Sequence, residues 1–394
     1  MKYAVILPDG ASDEALPELG GQTPLEAARI PHMDEIARAG RLGLAVTIPP
    51  GYTAGTDVGT LTLMGYDPDR YYSGRAPLEA AAKGLSVRPD QLIFRCNFVT
   101  IADGRMADFT AGHIPQPDAD RLVAALNDAL KSEGCEFYAG VSYRNLMLLS
   151  DAAHLKLTCA PPHDIPDQPV ATNLPRGEGV DRVLRIMDLA AKVIADHPVR
   201  AARLASGHAA PTNIWLWGQG RPTHLETLAD RFGVSGACIT AVDIIRGMAV
   251  LMGLKLIPVQ GATGYIDTNY QGKGEAAVKA LEEHDLVVVH VEAADEAGHL
   301  GNAREKVKAL ERIDELVVGP VLKALRKHKD WRILVAADHP TPCSTKAHSS
   351  VPPLFAYAGS DVPAGGLGPF TEKAAASGVF LDPGHPLLSM FLGR

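Results

Sequence analysis

The chain has 394 residues, 46% of them hydrophobic and 21% charged, enough apolar material for two domains with large cores and no need of covalent staples. A formal net charge of −8, with no run of Lys or Arg longer than two, excludes a nucleic-acid or anionic-membrane surface as the main business of the protein. Cys96, Cys135, Cys159, Cys238 and Cys343 are odd in number and form no CxxC pair, so reduced thiols in a cytoplasmic protein are expected.

Lys2 to Leu7 is a short apolar run stopped by Pro8-Asp9-Gly10, which predicts a buried first strand rather than a signal peptide. Thr23-Pro24-Leu25-Glu26 predicts a helix start with a capping box. A helix through Met33 to Arg38 and a strand over Gly43 to Ile48 follow. Gly51 to Asp57 is a loop of small residues before an apolar stretch, and Ala76-Pro77-Leu78-Glu79 opens another short helix. From about Val87 the texture changes: strands near Phe94 to Ile101, Glu136 to Tyr138 and Leu146 to Leu149, and helices over Asp118 to Lys131 and Asp181 to Ala195, read as a small α+β unit. From about Asn213 strands and helices alternate again, with strands at 214–217, 237–240, 255–259, 286–291 and 333–336 and a long helical region over 303–328 bearing Pro320. Such alternation predicts a mostly parallel sheet covered by helices on both faces. No apolar stretch reaches the roughly 18 residues that span a bilayer.

Ligands in open α/β sheets bind at the carboxyl ends of the strands. Three predicted strands end in polar clusters: Asp9 after the first, Glu292 to His299 with Asp295 after the strand 286–291, and Asp338-His339 after the strand 333–336, with His348 nine residues beyond His339. Taken singly, each acid is as readily a helix cap and each His a core or surface residue. Three acids and three His at three strand ends of one parallel sheet point instead to metal binding. Asp and His without Cys suit Mn²⁺ or Zn²⁺, and Mg²⁺ less well. Thr56, in Gly51-Tyr52-Thr53-Ala54-Gly55-Thr56-Asp57, offers a hydroxyl before a helix; by spacing alone it reads as an N-cap.

The segments Pro8-Asp9-Gly10-Ala11-Ser12-Asp13, Gly65-Tyr66-Asp67-Pro68, Tyr71 to Ala80, Pro161-Pro162-His163-Asp164-Ile165, Gly261-Ala262-Thr263-Gly264, Asp295-Glu296-Ala297-Gly298-His299 and Asp338-His339-Pro340-Thr341-Pro342 resemble the archaeal-type cofactor-independent phosphoglycerate mutases of the alkaline phosphatase superfamily. The resemblance runs over nearly the whole chain. It implies an alkaline phosphatase-like core, here 1–86 and 206–394, with an inserted substrate domain at 87–205. It also implies two divalent ions, one held by Asp295, His299 and His348, the other by Asp9, Asp338 and His339 with Thr56 as nucleophile. The implied reaction interconverts 3-phosphoglycerate and 2-phosphoglycerate through a phosphothreonine, without bisphosphoglycerate. Arg75, Arg144, His163 and Lys346 are the candidates for holding the carboxylate and phosphate of this small substrate. Neither a nucleic acid nor a membrane is an expected partner, and self-association stays open.

Two positions depart from the family pattern. Thr56 stands where Ser is usual, and Trp217 in Trp215-Leu216-Trp217-Gly218-Gln219-Gly220 stands where an Arg usually serves the substrate. The second departure gives an alternative function, phosphotransfer to another small hydroxy acid on the same metal core, as in a homoserine kinase. No GxxxxGK[ST] phosphate loop is present, so a nucleotide donor would have to bind at the metal site. A plain phosphatase and a catalytically dead binding module complete the alternatives; the full set of seven ligand positions argues against decay.

Overall fold

A computed structural model describes all 394 residues, which divide into two compact units. The larger unit comprises Met1–Tyr72 and His224–Arg394, the smaller Ser73–Thr223. The larger unit opens with β1 (Lys2–Pro8) and β2 (Arg41–Ala45). The smaller carries β3 (Leu92–Ala102), β4 (Arg105–Asp108), β5 (Cys135–Val141), β6 (Arg144–Leu149), β7 (Lys156–Thr158), β8 (Arg176–Glu178) and β9 (Asn213–Gly220). The chain then returns with β10 (Gly236–Ile239), β11 (Lys255–Leu256), β12 (Leu286–Val291), β13 (Trp331–Ala336), β14 (Leu354–Gly359) and β15 (Val379–Leu381).

The larger unit is built on an eight-stranded sheet in the order β11-β10-β12-β1-β13-β14-β2-β15. It is parallel from β11 to β13 and between β2 and β15; β14 alone runs antiparallel to its neighbours. Parallel strands covered on both faces need continuous apolar runs, and Tyr3 to Leu7 and Leu286 to Val289 supply them, all buried. Ala4 and Ile6 with Val287, Val289, Ile333 and Val335 face a layer made by the helices Pro31–Ala39, Tyr270–Glu283 and the helical run from Ala303 to Leu325. The residues one step out of phase, such as Val5, Leu7 and Leu334, point to the other face. There the helix Pro386–Leu392 packs on β13 and against the helix Thr56–Leu63. The expected mostly parallel sheet between helical layers is therefore present. The long helix is interrupted by a π-helical turn at Asp314–Val318 just before Pro320, where the missing proline N–H disturbs the regular ladder. No helix is long and apolar enough to cross a membrane.

The smaller unit is an antiparallel sheet, β4-β3-β6-β5, with β9 on the other side of β3. One face packs Phe94, Cys96 and Phe98 against Leu122 and Leu126 of the helix Gln116–Leu130 and Val183 and Ile186 of the helix Val180–Ala195. The other packs Ile93, Leu146 and Leu148 against Ala76 and Ala80 of the helix Arg75–Ala82. β9 thus belongs to this α+β unit; its apolar run resembles the α/β texture that follows it, and only its pairing with β3 assigns it.

Within the larger unit one lysine ties the loops after β1 and β13. Lys306 is fully buried, and its Nζ donates to Asp13 Oδ2 at 2.8 Å, to the Ser12 carbonyl at 3.2 Å and to the Thr341 carbonyl at 2.9 Å. Asp13 also accepts from the Cys343 N–H at 3.1 Å. Removing one partner of a buried ion pair strands the other. Lys306→Met is therefore expected to cost about 3–5 kcal/mol in urea denaturation, while Lys308→Met, on the exposed side of the same helix, leaves the midpoint unchanged.

Candidate metal and nucleophile centre

The parallel neighbours β12, β1 and β13 run in near register, with Pro8 opposite Val291 and Ile6 opposite Val335. Their carboxyl ends therefore meet at one edge of the sheet. Asp9 follows β1 directly. The helix Ala293–Leu300 begins just after β12 and carries Asp295 and His299 one turn apart on the same side. Asp338 and His339 follow β13, and His348 comes from the loop before β14. Gly10 permits the crowding: its φ is +61°, and a Cβ there would lie 2.6 Å from the Asp295 Cα.

Asp295, His299 and His348 form the first cluster. Nε2 of His299 lies 3.2 Å from Asp295 Oδ2, Nε2 of His348 lies 3.4 Å from Asp295 Oδ1, and the two Nε2 atoms are 2.9 Å apart. Each imidazole is oriented from behind. His299 Nδ1 donates to the Lys346 carbonyl at 3.0 Å and His348 Nδ1 to the Ala54 carbonyl at 3.2 Å, because a carbonyl can only accept. With each Nδ1 turned to a carbonyl, both Nε2 atoms point at the Asp295 carboxylate and at each other, so either protons or a shared cation must balance the charge there.

Asp9, Asp338 and His339 form the second cluster, and Thr56 joins it. Thr56 Oγ1 is 3.2 Å from Asp9 Oδ2 and 3.3 Å from His339 Nε2. His339 Nε2 is 3.3 Å from Asp9 Oδ1 and 3.6 Å from Asp338 Oδ2. Gly55 is the N-cap of the helix Thr56–Leu63 and Thr56 its first helical residue; the hydroxyl turns into the cluster instead of capping the helix, against the reading from spacing alone. Thr60, one turn on, donates to Asp338 Oδ2 at 3.3 Å. Gly59 lets the helix approach, since a Cβ there would stand 2.4 Å from the Asp338 carbonyl oxygen.

Burial dominates the electrostatics. It drives the Asp9 carboxyl well above its ordinary range, reinforced by Asp338 and Asp295. It does the same to Glu292, reinforced by Asp9. It depresses His339 and His290. Burial opposes ionisation of Asp295 too, but hydrogen bonds from His299 and His348 outweigh it and hold that carboxyl well below its usual value. Bonding to Asp295 in turn lifts His299 to about 9. Asp9 Oδ1 and Glu292 Oε2 are buried with no hydrogen-bond partner. Ligand atoms about 2.0–2.2 Å from a common ion lie roughly 2.8–3.6 Å from one another, and the separations in both clusters fall in that range. The donor set fits divalent cations.

All seven residues expected to form this centre meet at one sheet edge, with the His339 and His348 rings 4.1 Å apart. Lys346 lies beside it, but its carbonyl faces His299 while its side chain is exposed and lies along Gly301 at the end of the helix Ala293–Leu300. Arg75, Arg144 and His163 belong to the smaller unit. Sequence reasoning missed four contributors. His290 Nε2 lies 2.8 Å from Asp9 Oδ2 and 3.5 Å from Glu292 Oε2. Thr341 donates to Asp295 Oδ1 and lies 3.2 Å from His339 Nδ1, and Thr60 has been described. A polar residue inside the apolar run Val287-Val288-Val289-His290-Val291 was the available signal for His290, and the four-residue spacing from Thr56 the signal for Thr60.

A family model described as 2,3-bisphosphoglycerate-independent phosphoglycerate mutase matches residues 37–200. A probable 2,3-bisphosphoglycerate-independent phosphoglycerate mutase of Geobacter sulfurreducens is 45% identical over the full length of both chains. Its counterpart in Methanothrix thermoacetophila is 44% identical, again over the full length of both. Among solved structures, a Pyrococcus horikoshii protein superposes with a TM-score of 0.83 at 28% identity, covering 100% of this chain and 96% of the other. The cofactor-independent phosphoglycerate mutase of Thermoplasma acidophilum superposes with a TM-score of 0.69 at 26% identity, covering 100% and 99%.

The clusters carry a thermodynamic expectation. Adding Mn²⁺ to chelator-treated protein should raise the melting temperature, because an ion bound only by the folded chain at 100 times its Kd stabilises it by about 2.7 kcal/mol. Differential scanning fluorimetry reads this directly. Asp295→Asn should remove much of the shift, and an unchanged melting temperature in wild-type protein would count against metal binding at either cluster.

Proposed function

The chain belongs to the 2,3-bisphosphoglycerate-independent phosphoglycerate mutases, and from that premise we propose that it interconverts 3-phosphoglycerate and 2-phosphoglycerate through a phosphorylated Thr56, with divalent cations as its only cofactors. The observation that carries the role of Thr56 is its hydroxyl, buried at the first turn of a helix and aimed at Asp9 and His339. Asp295, His299 and His348 would hold one ion, and Asp9, Asp338 and His339 with the Thr56 oxygen the other; Mn²⁺ or Zn²⁺ suits these donors better than Mg²⁺. Bound there, such ions supply Lewis-acid stabilisation of phosphoryl oxygens and favour the ionised nucleophile.

The chain's own groups account for the rest. Thr56 Oγ1, giving up its proton, attacks phosphorus as the bond from phosphorus to the substrate oxygen breaks, and the glycerate oxygen so released takes up one proton, so that none is gained or lost overall. The phosphoryl group then sits at the N-terminus of the helix Thr56–Leu63, where backbone N–H groups favour an anion. Attack by the other glycerate hydroxyl reverses the first step, frees Thr56 and yields the isomer, so no bisphosphoglycerate is consumed. Thr60 and His290 hold Asp338 and Asp9 in place during both transfers. Arg75, Arg144, His163 and Lys346 are proposed to bind the substrate's anionic ends. Five unpaired cysteines support a cytoplasmic setting.

Phosphorus NMR of purified protein with Mn²⁺ and 3-phosphoglycerate is expected to show 2-phosphoglycerate with neither bisphosphoglycerate nor net phosphate release. A parallel tube with ATP and homoserine tests phosphotransfer to another hydroxy acid; phosphohomoserine there, with no isomerisation in the first tube, would overturn the mutase assignment. Thr56→Ser should stay within about tenfold of wild type, and Thr56→Ala should lose about 10⁴-fold or more in kcat. An active Thr56→Ala enzyme would remove Thr56 as nucleophile.

A further inference from the structure

Two basic side chains of the smaller unit, Arg95 and His163, meet one indole, and Arg75 and Arg144 stand close to the first of them. Arg95 on β3 and Trp217 on β9 are direct cross-strand partners, so their side chains share a face of the sheet. The Arg95 guanidinium lies over the Trp217 ring, 4.1 Å from its centroid, and its Nε bonds Glu79 Oε1 at 3.0 Å. The indole is fixed in turn. Its Nε1 donates to Asn97 Oδ1 at 3.1 Å, and the His163 ring meets it edge-on at 5.1 Å. Trp217 is 3% exposed and the Arg95 side chain 12%.

The surrounding backbone makes room for more than one arginine. Gly218 has φ +57°, and a Cβ there would stand 3.2 Å from Arg95 Cδ and 3.8 Å from Arg75 Cβ. Arg144 lies opposite Asn97 on β6, on the face that Arg95 shares. The groups feel one another electrostatically. Burial lowers the acid range of Arg95, Glu79 opposes this, and Arg75 and Arg144 add to it. Burial likewise lowers His163, opposed by Asp164 and reinforced by Arg95 and Arg75.

Arg95 is held through its Nε edge by the ion pair with Glu79 and through its flat face by the indole, which leaves the end of the guanidinium turned away from both. A guanidinium anchored this way keeps a free fork of parallel N–H donors, the shape that matches a carboxylate or a phosphate. Stacking on a rigid indole removes the rotamer freedom that such a bond would otherwise have to overcome.

We propose that Arg95 binds an oxyanion of the substrate, its carboxylate or its phosphoryl group, and that Trp217 is the positioning residue that aims it. The identity of the ligand rests on the mutase reading; the anion site itself does not. A tryptophan at this strand position then leaves anion binding intact, because the cation is supplied from the neighbouring strand.

The test uses the full chain loaded with Mn²⁺. Isothermal titration with D-glycerate and, separately, with inorganic phosphate distinguishes the two sources of oxyanion, and steady-state kinetics on 3-phosphoglycerate gives KM and kcat. Arg95→Gln and Trp217→Leu are expected to weaken one of the two probes by about tenfold and to raise KM by a similar factor with less change in kcat. Loss of glycerate affinity assigns the site to the carboxylate, loss of phosphate affinity to the phosphoryl group. Trp217→Phe, which keeps an aromatic face, should stay within about threefold of wild type, whereas Arg95→Lys, which loses the fork, should not. Wild-type affinity for both probes in a folded Arg95→Gln protein overturns the proposal, and that variant stands even if Trp217→Leu fails to fold. Wild-type protein that binds a probe in an Arg95-dependent way but does not isomerise 3-phosphoglycerate would sink the mutase reading and leave the anion site standing.

Discussion

Four carboxylates meet at one edge of the parallel sheet, and the larger unit is organised around that concentration of charge. Asp9, Asp295 and Asp338 are buried and Glu292 nearly so. An unpaired buried carboxylate is far too costly to tolerate, so each must be protonated, paired or bound to a cation. Within the chain the compensation is incomplete: His290 and His339 are themselves pushed toward neutrality by burial, and Lys273 gives its Nζ to the His290 carbonyl and is lowered to about 8 by the same burial. Such a site folds at a cost that protonation or a bound cation offsets.

The scaffold keeps these charges in place with contacts that have no part in the chemistry. Lys306 binds the loops after β1 and β13 to each other, so Asp9 cannot drift from Asp338. Gly10 and Gly59 let backbone approach where any side chain would collide with Asp295 or with the Asp338 carbonyl. Thr60 and Thr341 spend their hydroxyls on Asp338 and Asp295. Fixed carboxylate oxygens need no reorganisation as charge moves during phosphoryl transfer, which is where such sites gain most of their effect.

How much of this the sequence disclosed follows from the type of signal each part leaves. Continuous apolar runs marked β1, β12 and β13, and the parallel arrangement followed from alternation, so the three strand ends could be placed together before any coordinates. β14 was not foreseen: Leu-Phe-Ala-Tyr-Ala-Gly after two prolines is short and rich in small residues, and its antiparallel place beside β13 is set by tertiary pairing. Asp9, Asp295, Asp338 and the three histidines stood at turns and strand ends, where a polar residue is visible. His290 stood inside a strand, where it passes for a core residue until its ring is seen against Asp9. Arg95 was hidden for the same reason: its significance lies in the cross-strand pairing with Trp217, and the register of β3 with β9, which carries a bulge, is not written in either strand alone.

The two units answer opposite electrostatic problems, and this bears on specificity. The larger unit concentrates buried carboxylates, a setting that favours cations; the smaller places Arg75, Arg95 and Arg144 close enough to raise one another's positive potential, a setting that favours an anion. A metal ion held there would accept the oxygens of any phosphate ester, and so would give little discrimination by itself. A fork held at fixed angle on an indole discriminates by shape and by the number of oxygens it meets. If Arg95 holds a substrate oxyanion as proposed, selectivity among small phosphorylated acids would rest on the residues of the smaller unit that fix the fork. On that proposal a tryptophan at position 217 need not alter the chemistry: the cation would come from Arg95 on β3, its direct cross-strand partner, and the indole would set its direction.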